Sequence, residues 1–165
     1  MNQDIFYFLN NLALQNEWLD VLIIFLANWL IWWLVAGVII LFILKKISLR
    51  HLFQIFTVAF FAWIISKLIK YSYFSPRPFA SLAEVKTLLV HGLNDSLPSG
   101  HTTFAFALAT ALSFYTNHKI SILFFVGASL IGLSRVIAGI HWPADILAGV
   151  VIGITVTIIF LFNQK

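Results

Sequence analysis

The stretch from Pro143 to Phe162 sets the tightest limit on what this chain can become. It is an almost unbroken apolar run with a single charge, Asp145, near its start. About 20 such residues make a helix that crosses a bilayer. Four further apolar runs precede it: roughly Leu19 to Leu44, Leu52 to Ile69, Ser99 to Tyr115 and Ile120 to Ile137. The 165 residues are 61% hydrophobic and only 10% charged, and the mean hydropathy is +0.98. Soluble domains lie nearer half apolar and a quarter charged. The expected fold is therefore an all-α integral membrane protein, a compact bundle of about five to six transmembrane helices in a single domain, residues 1–165.

The N-terminus reads as an addition to that bundle. Ile5, Phe8, Leu9 and Leu12 recur at helical spacing between Asn and Gln, which predicts a short amphipathic helix in the interface. Met1 to Asn16 has neither a basic n-region nor a small-residue cleavage site, so no removable signal peptide is expected. The first long run is either one tilted span or is broken near Asn28, and its pattern leaves both open. Trp29, Trp32 and Trp33 read as packing or interface anchors. Between Tyr71 and Pro98 the chain is too polar and too rich in proline to span. Within it, Ser81-Leu-Ala-Glu84 has capping-box spacing with Leu82, Val85, Leu88 and Leu89 on one face, predicting a short interfacial helix. Gly149 and Gly153, a small-xxx-small pair, predict close helix packing.

Charge sets the orientation. Lys45, Lys46, Arg50, Lys119 and Lys165 fall on one side of a five-span bundle, the expected cytoplasmic side. Lys70, Arg77, His101, Arg135, His141 and Asp145 fall on the other, so the polar constellation is expected to be extracytoplasmic. The net charge of +4 sits at helix ends and in loops, which favours topology and anion binding over nucleic acid. There are no cysteines, which excludes disulfides and thiolate metal sites.

Ionisable groups at the edge of a span are costly and are functional candidates for that reason. Ser134 to Asp145 reads Ser-Arg-Val-Ile-Ala-Gly-Ile-His-Trp-Pro-Ala-Asp. His141 and Asp145 stand four apart around Pro143, which a helix tolerates in its first turn, so both can share one face. Taken alone, this is equally a helix cap with a buried histidine or a carboxylate orienting a reactive imidazole.

Two other segments reach the same face. Lys70 closes one span and Arg77 lies in a proline-stiffened loop, a point charge and a planar fork suited to phosphate oxygens. Pro98-Ser99-Gly100-His101 opens another span. Ser99 can cap it, Gly100 allows close backbone approach, and its first-turn N–H groups form an anion site. In this arrangement His101 hands a proton to a leaving group, Arg135 clamps phosphate and Ser134 offers a hydroxyl donor. His141 is the candidate nucleophile, with Asp145 fixing its tautomer. Lys67 reads as a snorkelling lysine, with contact to the substrate as the alternative, and Glu84 and Lys86 as solvated surface. His91 and Asp95 read as loop structure or substrate-side modulation, and His51 and His118 lie at the cytoplasmic end.

The order Lys-x6-Arg-Pro, Pro-Ser-Gly-His, Ser-Arg-x5-His-x3-Asp resembles the signature of the type 2 phosphatidic acid phosphatase superfamily. The resemblance implies a helical membrane core and a metal-independent, cofactor-free phosphatase working through a phosphohistidine. It implies that His141 attacks phosphorus, His101 protonates the leaving group and Asp145 orients His141. Lys70, Arg77, Ser99, Gly100 and Arg135 then hold the phosphoryl oxygens.

The small size, Arg77-Pro-Phe79, the run from His91 to His101 and His141-Trp-Pro-Ala-Asp-Ile-Leu-Ala-Gly149 resemble one branch. That branch is the bacterial undecaprenyl-diphosphate phosphatases associated with bacitracin resistance. It often carries aspartate where this chain has Gly100. The resemblance implies hydrolysis of undecaprenyl diphosphate at the outer face of the bacterial cytoplasmic membrane, recycling the lipid carrier of cell-wall synthesis. Phosphatidylglycerophosphate or another lipid phosphate is the alternative substrate. A non-catalytic lipid transporter or scaffold is the reading from another class.

Overall fold

The computed structural model describes residues 2–90, 92 and 96–162. His91, Asp95 and Lys165 lie outside them. The described residues form eight helices with no strand among them: α1 (Asn2–Asn10), α2 (Glu17–Asn28), α3 (Leu30–Ile43), α4 (Leu49–Ser72), α5 (Pro78–Ser81), α6 (Gly100–Ser113), α7 (His118–Ile137) and α8 (Pro143–Phe162). The all-α membrane fold expected from the apolar runs is the fold observed.

The bundle is built around α6. Every residue of α6 from Ala105 to Leu112 is buried, and α4, α7 and α8 pack around it. The close approach of α8 is explained by its small residues. A Cβ added at Gly153 would lie 2.6 Å from the Thr103 carbonyl oxygen, and one at Gly149 3.0 Å from that of Ser99. The two glycines let the α8 backbone lie against the α6 backbone, as the small-xxx-small spacing predicts.

Three helices, α4, α7 and α8, are long and apolar enough to cross a membrane, and α2 with α3 forms a fourth such unit bent by 54°. With fourteen residues, α6 is about 21 Å long at 1.5 Å per residue. It differs in this from the full span expected over Ser99 to Tyr115. Surrounded by protein, α6 does not have to match the bilayer thickness.

The first long run is therefore broken rather than only tilted, and the break falls at Trp29 between α2 and α3. Trp29, Trp32 and Trp33 are all more than half exposed on the outside of the bundle, as anchors would be.

The predicted N-terminal helix is α1. Ile5 and Phe8 face away from the bundle, while Phe6 and Asn10 are buried against it. Phe6 meets Trp142 with ring centroids 5.2 Å apart.

The predicted interfacial helix after Ser81 is not formed. The helical turn α5 ends at Ser81, with Leu82 already extended, and the chain runs irregularly to Val90. Contacts from distant segments fix that path. The Asn10 side chain accepts from Lys86 N–H at 3.0 Å and donates to Lys86 O at 2.7 Å. Leu88 N–H donates to Ala138 O, and Leu88 and Leu89 pack beside Ile23, Ala138 and Ile140. Gly139 makes this possible: its φ is +79°, and its Cα lies so close to Lys86 O that a Cβ would be 2.5 Å from it. Tertiary hydrogen bonds override the local capping pattern.

Candidate active site

The ends of α4, α6, α7 and α8 that carry the polar motifs meet at one end of the bundle. Asp145 sits in the first turn of α8, directly behind the loop residue His141, and both are 2% exposed. His141 Nδ1 lies 3.1 Å from Asp145 Oδ2. The same carboxylate oxygen accepts the Trp142 backbone N–H at 2.8 Å and a short hydrogen bond from the Ser96 hydroxyl. Three donors on one oxygen fix the orientation of the carboxylate and the Nδ1–H tautomer of His141. The lone pair is then on Nε2.

Arg77 stands beside that nitrogen, with Nη1 3.5 Å from Nε2 and donating to Ile140 O at 2.7 Å. Burial pushes the His141 imidazole well below its ordinary value, and the charges of Arg135, Arg77 and Lys70 push the same way. A neutral imidazole whose Nε2 lone pair faces cations has the chemistry to attack an anionic centre.

The other expected residues gather around the pair. Lys70, in the last turn of α4, donates to Ser96 O at 3.3 Å. Arg135, in the last turn of α7 and almost fully buried, donates through Nη1 to Ala27 O at 2.9 Å. Ser99 is the N-terminal flanking residue of α6, and its N–H donates to Asp145 O at 3.1 Å. Its hydroxyl does not cap the helix but accepts from Thr102 Oγ1 at 3.0 Å. His101 follows Gly100 into the first turn of α6, close enough for its charge to bear on His141. Gly100 leaves a notch: a Cβ there would meet Trp63 Nε1 at 3.4 Å and Ser66 Oγ at 3.6 Å.

Gly100 and His101 also line a cavity of about 310 Å³, together with Ile31, Trp32, Val35, Phe60, Trp63 and Phe104. Its lining is mostly apolar.

Ser134 was expected to offer its hydroxyl to phosphate, but the hydroxyl donates to Ile131 O in its own helix at 2.9 Å. Buried helical serines commonly back-bond in this way. Ser96 and Trp142 were not singled out as site residues. Ser96 is fully buried and ties three segments together: its hydroxyl bonds Asp145, its carbonyl holds Lys70, and its N–H donates to Ser75 O. Trp142 Nε1 anchors the arginine loop through Pro76 O at 2.9 Å. One serine in a polar loop gives no sequence signal; the tryptophan beside His141 could have been suspected from its place.

His51 stands at the start of α4 and His118 at the start of α7, the ends remote from Lys70 and Arg135. His51 stacks on Tyr115 there and completes the α4 capping box. Among the described residues no three His, Asp or Glu side chains gather as a metal site would require.

A helical membrane bundle that gathers a histidine–aspartate pair and a cluster of buried cations at one end has the build of a membrane phosphatase. A profile of the PAP2 superfamily matches residues 49–164, and the chain belongs to that superfamily. Undecaprenyl-diphosphatase BcrC of Bacillus subtilis (strain 168) is 33% identical over 97% of this chain and 82% of that protein. Bacitracin transport permease protein BcrC of Bacillus licheniformis is 30% identical over 98% of this chain and 79% of that protein. The crystal structure of Aquifex aeolicus LpxE superposes with a TM-score of 0.82 at 32% identity, covering 98% of this chain and 94% of that one. The chain is thus a multi-pass membrane lipid phosphatase.

Proposed function

We propose that the chain, as one membrane-embedded unit, removes the terminal phosphate of a lipid diphosphate, undecaprenyl diphosphate, at the outer face of the bacterial cytoplasmic membrane. The observation that carries the reading is the buried His141–Asp145 pair, with Nε2 of His141 facing Arg77. The mostly apolar cavity that His101 helps to line supports a lipid substrate, and the named activity of the Bacillus subtilis relative supports the diphosphate. The outer face rests on the basic residues at the opposite end of the bundle.

In this mechanism Nε2 of His141 attacks the terminal phosphorus. The bond from phosphorus to the bridging oxygen breaks, its electron pair leaves with the lipid monophosphate, and His101 supplies a proton to that oxygen. Asp145 stabilises the phosphohistidine cation through Nδ1. Lys70, Arg77, Arg135 and the Ser99–Gly100 end of α6 balance the charge on the phosphoryl oxygens. Water, deprotonated by His101, then attacks phosphorus and frees phosphate and His141.

The test is phosphate release by one purified preparation from undecaprenyl diphosphate, phosphatidylglycerophosphate and phosphatidic acid. The diphosphate is expected to give the highest kcat/KM, and a higher value for either glycerolipid would overturn the substrate assignment. The name of the Bacillus licheniformis relative gives transport as a second reading. A His141→Ala protein that releases phosphate as fast as the parent would favour it over catalysis at this site.

A further inference from the structure

Lys67 lies one turn before Lys70 on α4, three residues back and so on nearly the same face. Its sequence position predicts snorkelling, with contact to the substrate as the alternative, and its side chain is exposed. Its Nζ stands over the Trp63 ring, 5.3 Å from the centroid, and that ring is stacked in turn on Phe60 with centroids 5.7 Å apart. Trp63 and Phe60 line the same cavity as Gly100 and His101. Above Gly100 the indole N–H of Trp63 borders the notch that a side chain would otherwise fill. A cation–π contact thus holds an ammonium against a ring that itself lines the apolar cavity and carries an indole donor.

The geometry points to a second phosphate subsite, formed by Lys67 and the Trp63 indole N–H, that takes the phosphate adjoining the lipid tail. This deepens the proposed function and rests on it. In that reaction the leaving group departs on the His101 side, away from His141, and when the substrate is a diphosphate the leaving group is itself a phosphate. Its oxygens gain charge as the bridging bond breaks, next to walls that are otherwise apolar. An uncompensated anion there would be costly. Lys70, Arg77 and Arg135 are committed around His141 and the terminal phosphate. Lys67 adds a cation against Trp63, about 4.5 Å along the helix axis from Lys70. A phosphomonoester lipid has no second phosphate and would leave the subsite without an anion. The subsite would therefore act on diphosphates selectively.

The experiment compares wild type, Lys67→Met, Lys67→Arg and Trp63→Phe on undecaprenyl diphosphate and on phosphatidic acid. Lys67 is exposed, so the two Lys67 changes should leave the apparent unfolding midpoint in place. Losing a charge-assisted hydrogen bond in the transition state should cost Lys67→Met roughly 10- to 100-fold in kcat/KM on the diphosphate. The same variant should change by less than about twofold on phosphatidic acid, since only an interaction made with one substrate discriminates it. Lys67→Arg should recover most of the activity, and Trp63→Phe should show a smaller, diphosphate-selective loss. Equal losses on both substrates, or none on either, would overturn the subsite while leaving the proposed function standing. Wild-type protein that cleaves phosphatidic acid but not the diphosphate would overturn the substrate assignment and the subsite together.

Discussion

Replacing Ser96 by alanine should slow the reaction by acting through Asp145. The Ser96 hydroxyl is one of three donors on Asp145 Oδ2, with Trp142 N–H at 2.8 Å and His141 Nδ1 at 3.1 Å. A hydrogen bond to a charged group contributes about 1.5–3 kcal/mol, a factor of roughly 10 to 150 if it is lost entirely in the transition state. Two donors remain to hold the carboxylate, so the expected loss lies near the lower limit, about tenfold in kcat. KM should stay within about twofold, because the Lys70 ammonium bonds the Ser96 carbonyl, which alanine retains. Ser96→Thr keeps the hydroxyl and should recover most of the rate. The assay is steady-state phosphate release in detergent, repeated in an Asp145→Asn background. If Ser96 works through the carboxylate, its removal there should cost less than about twofold, since residues acting as a unit are not additive. An unchanged kcat in Ser96→Ala would refute the reasoning. So would a full tenfold loss in both backgrounds.

The remaining predictions concern pH, metal and packing. His141 is held well below its ordinary value of 6.5, so the free protein keeps a neutral nucleophile after an exposed histidine would have charged. The acid limb of kcat/KM due to His141 should fall below pH 6.5, and the limb of kcat should lie higher, because bound phosphate favours the imidazolium. A kcat/KM limb at or above that value would contradict this. The stability contribution has the matching sign: it is complete above pH 6.5 and lost as pH falls, because unfolded His141 binds a proton that the native protein excludes. Chelator should leave phosphate release unchanged, since the described residues of the site bring cations and no carboxylate cluster; activity lost in chelator and restored by magnesium would refute metal independence. Gly153→Ala places a Cβ 2.6 Å from Thr103 O. It should lower stability by about 1–3 kcal/mol, read as a lower apparent unfolding midpoint in detergent, and an unchanged midpoint would mean that α8 does not need this approach.

What could be read in advance divides along a physical line. Long apolar runs announce helices because the bilayer demands them, and the polar residues left at their ends stand out against that background. Lys70, Arg77, His101, Arg135, His141 and Asp145 were legible for that reason. The loop after Ser81 was not legible, because Asn10 and Gly139, far away in sequence, fix its backbone. Ser134 misled because its own helix takes its hydroxyl. Ser96 was silent because only burial distinguishes it from any other loop serine.

Arg135 and the break at Trp29 are the hardest pair to see, because they are one feature written 108 positions apart. A buried guanidinium carries five donors and needs acceptors, but an apolar bundle has few to give. Regular helices have already used their carbonyls internally, except in the last turn. Ending α2 at Asn28 turns the carbonyls of its final residues outward, and Ala27 O receives Arg135 Nη1 at 2.9 Å. A straight span from Leu19 to Leu44 would have used Ala27 O to bond its own N–H four residues on. The 54° bend therefore supplies the acceptor that lets an arginine sit buried within the bundle. The same bend carries α3 to the cavity, where Ile31, Trp32 and Val35 form one wall. A straightened α2–α3 would thus disturb the buried cation and the apolar cavity together, which is why sequence reasoning that treats Asn28 and Arg135 separately leaves the break undecided.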